Sequence, residues 1–397
     1  MRAITSVLPA KPLLEQLPAN PTTFIRGGDG IIGWGRVATL TARGKDRIAD
    51  LSRQWREFAA SVEVVDPLRE PGTGLVAFGT IAFADDSEAE SVLVVPQVIL
   101  GSRDGQSWIT VIDDAKLPTH QDVSDGTVTK FEPGQLSRNE FKTAVASAIK
   151  KIHAGELEKV VLARDLVAQV DEAFDLRAPL IELAKEYPSC WVYSVDGMFG
   201  ASPELLVRVS HGQVSARVLA GTAGRGTDPG VDHAIGDALA ESHKNVSEHA
   251  FAVDSMVRAL APFCKHVDAD PKPFPLKLPN VWHLASDVHG VLNESASVLD
   301  LASAIHPTAA VAGTPREVAL SVLGELEGFD RGRYAGPVGW IGADGDGEWA
   351  IALRGAQLTG KTIRAFAGCG IVAESDPDAE ASETDLKFQP ITQALAR

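Results

Sequence analysis

The sequence predicts an α+β fold, with two packed, largely antiparallel β-sheets, helices outside them, and one large domain spanning residues 1–397. Three observations carry this expectation. Strand-like runs lie close together across short Gly-containing turns, at Ser210-His211-Gly212, Asp344-Gly345-Asp346-Gly347 and Gly360, and tight turns of this kind join antiparallel neighbours. Helical stretches occur but do not alternate regularly with strands, which argues against a Rossmann or barrel arrangement. Hydrophobic residues make up 45% and charged residues 23% of the 397 positions, with no fixed repeat, so the chain has the composition of a packed protein rather than a disordered or coiled-coil one.

The first 130 residues read as strands and turns around one helix. Strand-like runs are Ile31–Leu40, Gly74–Ala84, Ser91–Leu100 and Ser107–Asp113, all rich in β-branched or aromatic residues and bounded by Gly, Asp or Ser. Between the first two, Lys45 to Ser61 carries Ile48, Leu51, Trp55 and Phe58, a spacing of three and four that fits one buried helix face. Residues 114–136 are polar and read as a connector. From there the second part, 131–397, begins with a helix start. Ser137-Arg138-Asn139-Glu140 is a capping box, and Phe141, Val145, Ile149 and Ile152 stack behind it up to a stop at Gly155. A strand, Lys159–Leu166, follows. Further helices are expected near 177–187, 235–263, 297–305, 315–326 and 383–396. Further strands are expected near 190–197, 204–209, 213–219, 282–290, 335–343, 348–358 and 362–367.

The net charge is −16, from 37 Lys+Arg and 53 Asp+Glu. No basic cluster interrupts it, so nucleic acid is not an expected partner. No run of about 18 apolar residues is present, so no membrane span is expected. The start, MRAITSVLPAKPLLEQLP, lacks the apolar run of about 7–15 residues of a secretory leader. Cys190, Cys264 and Cys369 are odd in number and widely spaced; this fits a reducing cytoplasm and neither a disulfide framework nor a zinc site.

Several residues are candidates for chemistry, each with a plainer reading beside it. Lys159 opens an apolar strand after Glu156 and Glu158; desolvation there would make it a base, and solvation with a glutamate partner would make it an ordinary strand-end lysine. Glu204, in Gly200–Leu206, sits between a tight Gly/Pro turn and an apolar strand, where burial would raise its pKa towards general-acid use; otherwise it is an edge-strand glutamate. The loop Leu219–Gly226, including Gly221 and Thr222, offers backbone for close approach to an anion, or is a flexible turn. Glu241, Lys244 and Glu248 share a face of one long expected helix. Glu380 and Glu383 lie one turn apart near the end of the chain, with Lys387 at i+4 from Glu383. Glutamates from two helices suit a hard cation such as Mg²⁺, while surface pairing is the alternative for each helix alone. Arg354 lies in the run WAIALRGAQL and needs a carboxylate, bound or internal. Gly368-Cys369-Gly370 resembles a backbone cradle for an anion. His283 and His306 read as core histidines, and His306-Pro307-Thr308 as a turn.

Taken together, Lys159–Arg164, Gly200–Leu206, Leu219–Thr222, Val281–Leu284, His306–Thr308, Phe329–Arg331, Gly347–Trp349 and Gly368–Val372 resemble the motifs of the chorismate-utilising enzymes, and among them the isochorismate synthases. The resemblance is strong over about residues 135–397 and general in the N-terminal third. It implies a Mg²⁺-dependent isomerase that converts chorismate to isochorismate. Lys159 would activate water for attack at ring carbon 2, and Glu204 would protonate the departing hydroxyl at carbon 4. Glu248 and Glu383 would hold Mg²⁺, with Glu380 in support. Arg354 and the Gly368–Gly370 backbone would take the enolpyruvyl carboxylate, Lys387 would add positive charge, and Ala310, Val311 and Tyr334 would line the ring pocket. Asn245 stands where the family commonly has an acidic residue. Ala220 disfavours the aminodeoxychorismate synthases whose nucleophile is a lysine in that loop. Salicylate synthase, anthranilate synthase component I and a non-catalytic chorismate-binding protein remain the alternatives. A monomer without an obligatory protein partner is expected, and the product would feed menaquinone or catechol siderophore synthesis.

Overall fold

The computed structural model describes residues 1–116, 122–124, 126–226, 228–277 and 281–396. The strands form two largely antiparallel sheets with helices against them, as the hairpin spacing predicts. Two units separate by their internal contacts. The first comprises Met1–Glu204, His306–Ala343 and Trp349–Arg397, the second Leu205–Ile305 and Asp344–Glu348.

In the first unit one sheet runs, strand by strand, through Glu132–Pro133, Lys159–Gln169, Thr362–Ile371, Gly355–Thr359, Met198–Ser202, Trp191–Val195, Thr22–Arg26, Asp29–Trp34, Val98–Arg103, Gln106–Ile112, Arg2–Leu8 and Glu63–Val65. Neighbours are antiparallel except for the last pair. Strands Pro337–Gly342, Val76–Thr80, Ser91–Val95 and Ala38–Ala42 of the same unit belong to the second sheet. The two layers meet closely: a side chain at Gly33 would come within 3.2 Å of the Phe78 ring. In the second unit the order is Cys264–Ala269, Val281–Leu292, Gln213–Gly224 and Leu205–Ser210.

The helices are α1 (Arg47–Ala60), α2 (Arg138–His153), α3 (Arg177–Glu186), α4 (Pro229–Glu241), α5 (His243–Leu260), α6 (Val298–Ile305), α7 (Arg316–Glu327) and α8 (Pro377–Leu395). The expected capping box opens α2. Ser137 Oγ accepts from the Glu140 amide at 3.3 Å, and Glu140 Oε2 accepts from the Ser137 amide at 2.8 Å. The single helix expected over 235–263 is instead two. Ser242 has extended backbone (φ −68°, ψ 109°) and caps α5, because a hydroxyl that satisfies the new helix's amides stabilises a break there. Glu241 therefore ends one helix while Lys244 and Glu248 belong to the next, so the shared face of one helix does not exist. Helix α8 starts earlier than expected, at Pro377 behind the Asp376 cap, whose carboxylate accepts from the Asp378 and Ala379 amides; proline at the first helical position lacks only a hydrogen that would go unused. The strand expected over 348–358 is interrupted. Gly347–Ile351 and Gly355–Thr359 are separate strands, joined by a turn in which the Leu353 amide donates to the Ile351 carbonyl at 2.7 Å.

Helix α8 is pinned to the strand Lys159–Gln169 by one residue. Arg164 Nε donates to Thr384 Oγ1 at 2.8 Å, its guanidinium pairs with Asp385, and it lies 4.9 Å over the Phe388 ring. Arg138 of α2 reaches the same Asp385 at 3.0 Å. A second anchor is the buried pair Arg331–Glu327, each side chain under 5% exposed. Arg331 also donates to the Val311 carbonyl at 2.9 Å and the Val161 carbonyl at 2.5 Å, while Glu327 Oε1 accepts from the Ala163 amide at 2.7 Å. With hydrogen bonds from all three guanidinium nitrogens, this pair holds the strand of Lys159 against the end of α7; left half-made, it would strand a charge at a cost of about 3–5 kcal/mol.

Candidate active site

Lys159 is the first residue of its strand. Neighbouring strand Thr362–Ile371 pairs with it so that Val161 faces Gly370 and Ala163 faces Gly368. The lysine stem runs over Gly370: a side-chain carbon there would lie 2.7 Å from Cε and 3.4 Å from Nζ. Glycine is thus required for space, not only for backbone freedom. The residue keeps partial contact with solvent, yet its amine is enclosed by protein. Burial pushes its pKa below the ordinary lysine value; the positive charge of Lys387 acts in the same direction, and the charges of Glu204 and Glu383 oppose it. Loss of water is the larger effect because an isolated ammonium is costly in a low-dielectric surrounding.

Glu204 follows Ser202-Pro203 at the end of a strand. Its amide is held by Ser202 Oγ at 3.2 Å, its carbonyl accepts from the Ile351 amide at 3.0 Å, and Ser202 Oγ is itself 2.5 Å from the Ile351 carbonyl. These contacts fix the backbone that carries the carboxyl. Burial raises its pKa to about 6 against the pull of Lys159 and Lys387. Acid and base therefore lie in one another's field, both displaced towards neutrality, which is how titratable groups with opposite tasks are recognised.

Helix α8 brings the remaining charges. Lys387 Nζ donates to the Gly368 carbonyl at 2.8 Å and pairs with Glu383 at 2.6 Å, the i,i+4 pair legible in the sequence. Glu380 accepts from Ser375 Oγ at 2.6 Å. The alternation of the Thr362–Ile371 strand turns Cys369 the other way. Its thiol is buried, reaches the Glu380 carbonyl at 3.6 Å, and is pushed well above the ordinary thiol range by burial. Only the backbone of Gly368–Gly370 faces the lysine.

Arg354 has φ +50°, a left-handed backbone that a side chain adopts at some energetic cost. It is half-buried and its guanidinium forms no hydrogen bond or ion pair among the described residues, though it feels the charge of Glu383. The internal carboxylate that the apolar run left open as a partner is not there. Tyr334 is 5% exposed, stacks on Phe366 with ring centroids 4.9 Å apart, and is pushed up to about 12 by burial. Arg331 lies 5.9 Å from the centre of its ring, and the same guanidinium holds the Val311 carbonyl. Ala310 is half-buried and Val311 buried.

In the second unit, Gly221 has φ +77° at a bulge between Ala220 and Thr222 in the pairing with Val281–Leu292. A side chain on Gly221 would approach Asn245 Cβ to 3.4 Å. His249 is buried, with Nδ1 3.1 Å from the Ala220 carbonyl and Nε2 2.9 Å from Ser286 Oγ. The side chains of Thr222 and Glu248, expected to bind substrate and metal, lie outside the described residues, as does that of Val281 in its motif. His306 is a core histidine as read: buried, edge-on to Phe83, with Nε2 3.3 Å from the Phe83 carbonyl.

Glu380 and Glu383, on one face of α8, offer oxygen ligands only, the donor chemistry that suits Mg²⁺. Their present partners are a hydroxyl and an ammonium, both of which a cation can replace.

An acid–base pair in one another's field, a half-buried arginine whose side chain has no ion pair among the described residues, and a helix bearing carboxylates make a candidate site for a small anionic molecule. Comparison with known proteins places it more closely. The family model described as chorismate binding enzyme matches residues 18–115 and 112–396, and the chain belongs to that family. The match reaches into the N-terminal third, where the motifs alone gave only a general likeness. Isochorismate synthase MenF of Bacillus subtilis is 31% identical over 92% of this chain and 85% of its own length. The salicylate biosynthesis isochorismate synthase of Pseudomonas aeruginosa is 31% identical over 91% of this chain and 82% of its own. The solved structure of MenF, the menaquinone-specific isochorismate synthase of Escherichia coli, superposes with a TM-score of 0.78 at 24% identity, covering 99% of this chain and 94% of that one, which shows a common fold.

Gly370→Ala should cut turnover at least about tenfold while leaving the melting temperature within a few degrees. The added methyl displaces the Lys159 amine rather than the strand. Wild-type turnover in this variant would contradict the placement of Lys159.

Proposed function

We propose that the protein interconverts chorismate and isochorismate. The observation that carries the reading is the pairing of Lys159, pushed down, with Glu204, raised to about 6, together with Arg354, whose guanidinium has no carboxylate partner among the described residues. The relatives named isochorismate synthase support the same reading.

The chemistry follows from the charges. Neutral Lys159 takes a proton from a water that attacks ring carbon 2. Protonated Glu204 gives its proton to the hydroxyl leaving carbon 4. The ring double bonds shift, one water enters and one leaves, and the ring stays a dianion. Arg354 and the Gly368–Gly370 backbone hold the enolpyruvyl carboxylate, and Lys387 adds positive charge. Tyr334, Val311 and Ala310 form an apolar wall for the ring. Mg²⁺, held by Glu380 and Glu383, would supply charge for the ring carboxylate. These cations answer the repulsion expected between a dianion and a protein of net charge −16.

Proton counting gives a further consequence. The forward reaction needs neutral lysine and protonated glutamate; the reverse needs ammonium and carboxylate. Both forms carry one proton between them, so they are tautomers of a single titration state. Rates in both directions should therefore share one bell-shaped pH profile.

Two measurements test this. Incubation with chorismate and Mg²⁺ should yield isochorismate, and Lys159→Ala and Glu204→Gln should each lose more than about 90% of the rate with KM changed only a few-fold; salicylate with pyruvate, anthranilate when ammonia is supplied, or binding without turnover would replace the reading. The profile of kcat/KM should rise through about pH 6 and fall below 10.5, the ordinary lysine value, with chorismate and with isochorismate alike. A profile with no acid limb near pH 6 would contradict the assignment of Glu204.

A further inference from the structure

We propose that Tyr193 is a positioning residue that holds Arg354 in its substrate-binding conformation; this rests on the reading of Arg354 as the carboxylate ligand. The register of three adjacent strands places Tyr193 opposite Gly200, and Gly200 opposite Gly355. The phenol lies along this row. A side chain at Gly200 would come within 2.7 Å of the tyrosine oxygen, and one at Gly355 would collide with the same atom. Strands are about 4.8 Å apart, so two adjacent glycines make the channel that lets one tyrosine reach across its neighbour strand.

The hydroxyl ends on the turn that carries Arg354. Tyr193 Oη donates to the Leu353 carbonyl at 3.0 Å, one peptide ahead of Arg354. The other groups of the turn are also held: the Leu353 amide by the Ile351 carbonyl at 2.7 Å, and the Arg354 carbonyl by the Ala201 amide at 3.2 Å. Arg354 sits at φ +50°, a conformation that persists only where the surroundings over-determine it. Tyr193 is 0% exposed, so its hydroxyl reaches Leu353 from within the sheet. Its ring fills the sheet; its oxygen fixes the direction in which the arginine leaves the backbone.

The test is a double-mutant cycle with Tyr193→Phe and Arg354→Met, read as kcat and KM for chorismate together with melting temperature. Tyr193→Phe keeps the ring and should raise KM about fivefold, the scale of one buried hydrogen bond, with kcat within about twofold. Added to Arg354→Met, it should raise KM no further, because it acts through that arginine. If Arg354→Met leaves KM unchanged, the carboxylate reading of Arg354 fails. If Arg354→Met raises KM and Tyr193→Phe does not, or if the two effects multiply, the positioning role alone is overturned. A Tyr193→Phe protein that melts below assay temperature would show a purely structural tyrosine and overturn it too.

Discussion

An ammonium and a carboxyl enclosed together cannot each behave as they do in water. Removal of solvent drives both towards the neutral form, and their mutual attraction drives both back towards ions. At Lys159 and Glu204 the first effect is the larger, and the second limits it, so that Glu204 comes to about 6 rather than far higher. The result is a pair whose proton affinities are drawn towards one another, the lysine's downwards and the glutamate's upwards. A reaction that removes one hydroxyl and adds another, with no net change of charge, needs such a pair and little else.

The surrounding structure serves to keep the two groups enclosed and apart from other partners. Gly370 leaves the channel for the lysine stem. The backbone contacts of Ser202 and Ile351 fix Glu204. Arg164 and Asp385 hold α8 against the lysine strand, and Lys387 engages both Glu383 and the Gly368 carbonyl. That last contact places a positive charge where it lowers both pKa values. Arg331 and Glu327, though distant from any reacting atom, tie Val161, Ala163, Val311 and Tyr334 together. The candidate site therefore rests on one buried, multiply hydrogen-bonded ion pair, Arg331–Glu327, and on the partly exposed pairs of α8.

Local signals in the sequence were sufficient where the chain decides its own conformation. The Ser137–Glu140 box, the Gly-containing hairpins and the Glu383–Lys387 spacing all appear in the structure as read. Signals were present but unused at Ser242 and at Asp376-Pro377, both ordinary helix starts. Other features have no local signature. Arg354 sits in an apolar run that reads as a continuous strand, and its left-handed turn is set by Ile351, Ala201 and Tyr193. The role of Gly370 as space for Lys159, and the outward turn of Cys369, follow from strand register, which a single run of sequence does not contain. The Tyr193–Gly200–Gly355 row likewise exists only once three strands are aligned.

The central claim is that Glu204 and Lys159 titrate as a coupled, buried pair. Carbon-13 NMR of glutamate-labelled protein, with Glu204→Gln to assign the carboxyl signal, measures this without reference to turnover. Glu204 should titrate near pH 6, and in Lys159→Met its pKa should move higher, because burial remains while the attracting charge is gone. A midpoint near 4.5, the ordinary glutamate value, or one that does not move when the lysine is removed, would contradict the account.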